Sequence, residues 1–150
     1  MLYNSYMNDR GRETSTGLLP LLHAADAAHA YVESRLATRG LSLAKLGALT
    51  VLREAGESLP LGQLAERLSC VKSNITQLVD RLVADGLVSR EPDPTDRRSR
   101  LAVMTAAGRK AWKDGLKLQQ TAERELFDVL SAREAREFAV LVQKVTRRAG

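Results

Sequence analysis

The sequence predicts a mainly helical domain carrying one small β wing, and three observations predict it. Apolar residues recur at steps of three and four through most of the chain, the spacing of amphipathic helices. The period drops to two only in "LVSRE" and "RLAVMT", at 87–91 and 100–105, which read as a short hairpin. Glycines and N-capping residues punctuate the helical stretches, leaving no linker or low-complexity tract between them.

Leu18, Leu22, Ala25, Ala28, Val32 and Leu36 mark the first helix, which Gly40 stops. Ser42 is the expected N-cap of a second, carried by Leu43, Leu46, Leu49 and Leu52 and ended at "EAGES". Leu61, Leu64, Ala65 and Leu68 give a short third helix, and Ile75, Leu78, Val79 and Leu82 a fourth that closes at Gly86. With only a few residues between them, the third and fourth helices form a helix-turn-helix candidate. A two-stranded wing follows, its Pro, Asp and Arg residues suited to an exposed loop. The helical period returns at Thr105 with Trp112, Leu116 and Leu118 and breaks near "DVLS". There Ser131 and Glu134 make a capping box for a last helix carrying Phe138, Leu141, Val142 and Val145.

At 150 residues and 44% hydrophobic, the chain has the size and apolar content of one domain with a core. The expected organisation is a flexible tail over 1–16 and a single domain over 17–150. A central lobe occupies about 42–104, and helices over about 17–39 and 105–148 flank it. Those flanking helices carry more apolar surface than one small lobe can cover, so they are expected to cover each other in a homodimer.

Lysine and arginine outnumber aspartate and glutamate by 23 to 18, a net charge of +5 that favours an anionic partner, nucleic acid first. A lone cysteine, Cys70, excludes an internal disulfide framework and reads as core filler. His23 and His29 stand at a spacing that suits no helical metal pair, so neither metal nor cofactor is expected. No Ser/His/Asp or Cys/His set, paired-carboxylate motif or phosphate-binding glycine loop points to an enzyme. Without a signal-peptide pattern or a membrane-length apolar run, the expected location is the cytoplasm, with no membrane partner.

The residues that carry function cluster in the middle third. Lys72, Ser73, Asn74, Thr76 and Gln77, on the early exposed face of the fourth helix, are types that hydrogen-bond base edges or phosphates in a major groove. Alone, such a face reads as solvated surface. The wing shifts the balance: Arg97, Arg98 and Arg100 crowd a loop constrained by Pro92 and Pro94, where like charges would otherwise repel, and arginine profits from the potential of a narrow minor groove. Pairing to Asp93 and Asp96 is expected to hold one arginine while another projects. The alternative is a winged module whose basic face binds an acidic protein.

The run from Leu61 to Gly108 resembles the winged helix-turn-helix of the multiple-antibiotic-resistance regulator (MarR) family, most specifically in "LVDRL", "GLVSR", "DPTDRR" and the "MTAAG" that opens the next helix. The resemblance implies a homodimer joined through its terminal helices on a pseudo-palindromic operator in double-stranded DNA. It implies a transcriptional regulator, usually a repressor, relieved in many members by a small aromatic effector. It assigns recognition to Lys72, Ser73, Asn74, Thr76 and Gln77, wing contacts to Asp96, Arg97, Arg98 and Arg100, and a supporting or phosphate contact to Arg90. It places an effector pocket where the dimerisation helices meet the lobe, with His23, His29, Tyr31 and Trp112 available there. Each of these four also reads plainly as an interface-edge or core residue. Two positions depart from the family pattern: Pro60 and Val71 stand where capping residues are common, each removing about 1 kcal/mol of capping.

Overall fold

Six helices and three strands follow one another in a computed structural model that describes residues 17–69 and 72–149, without the side chains of Lys72 and Ser73. The tail 1–16, Cys70 and Val71 lie outside the described residues. The order is α1 (Leu18–Ala37), α2 (Leu43–Glu54), β1 (Ser58–Pro60), α3 (Leu61–Arg67), α4 (Lys72–Ala84), β2 (Val88–Pro92), β3 (Arg100–Met104), α5 (Ala106–Phe127) and α6 (Ala132–Ala149). No helix among the described residues is long and apolar enough to cross a membrane.

The capping chemistry sets the helix starts. The Ser42 side chain accepts from the Lys45 N–H at 3.1 Å, and Thr105 caps α5 by accepting from the Gly108 N–H at 3.0 Å. At α6 the capping box forms in full: the Ser131 hydroxyl and N–H both donate to Glu134, at 2.7 and 2.8 Å. Pro60 occupies the N-cap of α3 with no side-chain cap, the departure visible in the sequence.

The wing differs from expectation in having a third strand. The sheet order is β1-β3-β2, all antiparallel, with Leu59 opposite Ala102 and Arg90 also opposite Ala102 on the other side. Three residues are too few to show a period of two, so β1 leaves no sequence signal. It is positioned by Glu57, a non-glycine residue at φ 74° whose carbonyl accepts from the Met104 N–H at 2.8 Å. The Glu57 carboxylate is gripped by Arg53 and by Arg109, the latter at 2.6 Å, which ties the end of α2 to the start of α5.

One core serves the lobe. Leu46, Ala48, Leu49 and Leu52 of α2 meet Leu64, Ile75, Val79, Leu82, Val88, Ala102 and Met104, all buried. Outside it the helices open out. Among the described residues, α1 fully buries only Leu36 and α5 only Gly108, Gly115 and Ala122, with Val32, Ala111, Trp112, Leu116 and Leu118 packed partly buried against the core, and α6 fully buries none.

At the wing tip the two aspartates bond backbone and hydroxyl groups. Asp93, buried, accepts from the Thr95 hydroxyl at 2.6 Å and the Thr95 N–H at 2.8 Å, while Asp96 accepts from the Arg98 N–H at 2.9 Å. Against burial, the Thr95 hydroxyl foremost and then the Thr95 N–H hold the Asp93 carboxyl below its ordinary value.

Two outcomes follow for the fold. Leu49→Ala empties a fully buried site and should cost about 2 to 5 kcal/mol, read by urea denaturation at fixed protomer concentration. Because the Asp93 pKa is lowered on folding, the ionised carboxylate supports the wing loop above its unfolded pKa and that support fades as pH falls through the folded value, below about pH 4. Protection of the loop amides relative to their intrinsic exchange rates should therefore persist down to that range in the native chain and be lower throughout in Asp93→Ala.

Candidate nucleic-acid interface

The helix-turn-helix presents α4 with its apolar side inward and its polar side out. Ile75, Val79 and Leu82 are buried, whereas Asn74, Thr76 and Gln77 are exposed on the outer face. Lys72 and Ser73 fall in the first turn of the same helix, with side chains outside the described residues.

The wing returns beside that face. A cleft of about 350 Å³ is walled on one side by Leu61, Gly62 and Thr76 and on the other by Asp96, Arg98 and Arg100. A second cleft, of about 390 Å³, adjoins it between Leu61, Thr76, Arg90 and Arg100. Thus the structure brings together Thr76, Arg90, Asp96, Arg98 and Arg100. Arg97 lies outside both walls, exposed on the loop between β2 and β3.

Pairing at the tip differs from the sequence expectation. No carboxylate among the described residues lies within ion-pair distance of Arg97, Arg98 or Arg100. Both aspartates that were expected to hold an arginine are committed to shaping the loop, since a carboxylate at a turn reaches the N–H two residues ahead more readily than a long guanidinium. The three guanidinium groups are therefore available to an external anion. Arg90 is the arginine that is held: it pairs with Asp80 at 2.8 Å and donates to the Thr76 carbonyl at 3.3 Å, locking β2 onto α4.

Sequence reasoning missed Leu61 and Gly62, which join the cleft because α3 starts directly after β1. It also missed Asp80, whose partner is reached across a helix end and a turn, a spacing with no local signature. The four residues considered for a ligand are dispersed. His29 lies 3.7 Å from Glu33 on α1, and Tyr31 donates to Glu125 at 2.6 Å while accepting from Arg35 at 2.8 Å. Trp112 donates to the Thr50 hydroxyl at 3.2 Å under the Arg53 guanidinium, and His23 is exposed early in α1.

This arrangement can be set beside known proteins. The model of the MarR family matches residues 39–99. BadR of Rhodopseudomonas palustris, named a transcriptional activatory protein, is 43% identical over 70 residues, 47% of this chain and 39% of BadR. The transcriptional regulator HosA of Escherichia coli is 30% identical over 97 residues, 63% of this chain and 72% of HosA. The chain thus spans less than two thirds of BadR's own length but more than two thirds of HosA's. Among solved structures, a mutant MarR from E. coli complexed with operator DNA matches with a TM-score of 0.74 and 25% identity, over 97% of this chain and 98% of that one. Since the family's pattern covers the helix-turn-helix, β2 and the wing loop up to residue 99, and the match to HosA takes in 72% of that protein's length, the chain belongs to the MarR family.

Proposed function

We propose that the chain is a homodimeric, sequence-specific DNA-binding transcriptional regulator rather than an enzyme. The observation that carries this reading is the set of unpaired arginines, Arg97, Arg98 and Arg100, beside the exposed polar face of α4. Placed on a duplex, α4 lies in the major groove with Asn74, Thr76 and Gln77, and with Lys72 and Ser73 ahead of them, toward bases and phosphates. The wing arginines reach the adjacent backbone and minor groove, shaped by Asp93 and Asp96 and supported by Arg90. That a MarR protein of this fold is found complexed with operator DNA supports DNA as the partner.

The partner for the open helices is a second copy. Leu18, Leu22, Val140, Leu141 and Val145 are each about half exposed within the single chain, on α1 and α6, the two ends of the sequence. Faces this apolar on a charged chain are covered in solution, and a two-fold pairing covers both with one operation. It also places two recognition helices about 34 Å apart, roughly ten base pairs, so the operator is a pseudo-palindrome. Occupying a promoter gives repression by default; the name of BadR marks the opposite sign in one relative. A small aromatic effector that relieves binding, drawn from the family resemblance, belongs to the same proposal, without a common pocket formed by His23, His29, Tyr31 and Trp112 within the single chain. The cytoplasm is the place for such a regulator.

Arg98→Ala should weaken binding to every duplex and lower the salt slope by about one, whereas Gln77→Ala should change preference at a defined base pair by roughly 1 to 3 kcal/mol. Titration of random and footprinted DNA from around its own gene checks both. Affinity that ignores sequence, with equal effects of both substitutions, would instead indicate a module for acidic partners. Leu141→Asp should convert a dimer into a monomer in sedimentation at micromolar concentration.

A further inference from the structure

The end of α4 and the start of α5 meet at a contact that admits no side chain at position 108. A Cβ added to Gly108 would lie 2.0 Å from the Leu87 carbonyl oxygen and 3.1 Å from its carbon, both backbone atoms. Thr105 closes the contact with three hydrogen bonds. Its N–H donates to the Leu87 carbonyl at 3.1 Å, its hydroxyl donates to the Gly86 carbonyl at 2.7 Å, and that hydroxyl accepts from the Gly108 N–H at 3.0 Å.

Gly86 and Leu87 are the residues that terminate α4. Their N–H groups donate back to Val83 and Leu82, both at 2.9 Å, with Gly86 in the left-handed region at φ 71°. The joint therefore sets the residues that close the recognition helix against the first turn of α5. From this joint α5 runs to Phe127, a helix of 22 residues in all, packing on α2 and α1, and in its later turns Tyr31 and Arg35 meet Glu125.

We infer that Thr105 and Gly108 are positioning residues that set the tilt of α4 on the dimer frame and thereby the half-site spacing the dimer accepts. The inference rests on the DNA-binding reading above. Its leverage is geometric. Asn74 stands at the far end of α4, about 18 Å from Gly86 at ~1.5 Å per residue, and Gln77 lies nearly a turn closer, at about 14 Å. A tilt of about 10° at the joint moves them by roughly 3 Å, close to the rise of one base pair. Alanine at 108 forces such a movement, because the Leu87 oxygen must retreat from 2.0 Å to beyond 3.0 Å of the new Cβ.

The test uses the full-length chain and a duplex selected by the native protein from a random-sequence library. Versions with one base pair inserted or removed between half-sites, and a duplex with a single half-site, complete the probe set. The native chain should favour the parent spacing. Gly108→Ala should lose roughly tenfold on the parent, the size of one mismatched pair, yet bind a duplex of altered spacing at least as well as the parent and the single half-site as the native chain does. Thr105→Val, which keeps the shape and removes the hydroxyl bonds, should change the ranking in the same sense, and Thr105→Ser should restore it. Uniform weakening on every duplex, half-site included, or an unchanged ranking in both Gly108→Ala and Thr105→Val, would overturn the inference. A native chain that selects no duplex would instead overturn the functional reading, and this inference with it.

Discussion

The burial of α2 is the constraint on which the remaining architecture depends. Leu46, Ala48, Leu49 and Leu52 are enclosed by α3, α4, the sheet and α5, so this one helix forms the floor for both the reading head and the helix that leads out of it. Fully buried leucines at such spacing carry on the order of 2 kcal/mol of transfer free energy each, far more than the exposed ion pairs of the surface. Gly115 of α5 sits directly on this floor, where a Cβ would meet Leu46 and Leu41 at 2.8 and 2.9 Å. The closeness of α5 to the lobe is therefore set by the absence of a side chain as much as by the presence of apolar ones.

Charge is divided by the same geometry. Carboxylates close to the backbone are engaged internally: Asp93 and Asp96 shape the wing loop, Asp80 holds Arg90, and Glu57 joins Arg53 to Arg109. Among the described residues, the wing arginines Arg97, Arg98 and Arg100 have no carboxylate within ion-pair distance. Three arginines crowded on one loop beside a polar helix face raise the local positive potential there above what a net charge of +5 spread evenly would give. The tip is thus rigid in its backbone and available in its side chains, the combination a groove contact requires.

Two kinds of surface remain open, and they differ in chemistry. The face of α4 and the wing is polar and cationic, while the faces of α1 and α6 are apolar and flank it in sequence. α5 connects the two, gripped at its start by Leu87 and Glu57 and along its later turns by α1.

The amino-acid sequence by itself determined the helices, their capping at Ser42 and Ser131, the hairpin of β2 and β3, and the polar face of α4, because each depends on residues within one or two turns of one another. It did not determine β1, whose three residues become a strand only when β3 lies beside them. Nor did it decide how the wing charges pair, since Asp93 and Asp96 choose between guanidinium and backbone according to the loop they themselves bend. The Arg90 to Asp80 pair, the entry of Leu61 and Gly62 into the cleft, and the dispersal of His29, Tyr31 and Trp112 were likewise decided by tertiary structure. In each, the partners are distant along the chain or on separate elements, and the energy that selects them exists only once the core has brought those elements into contact.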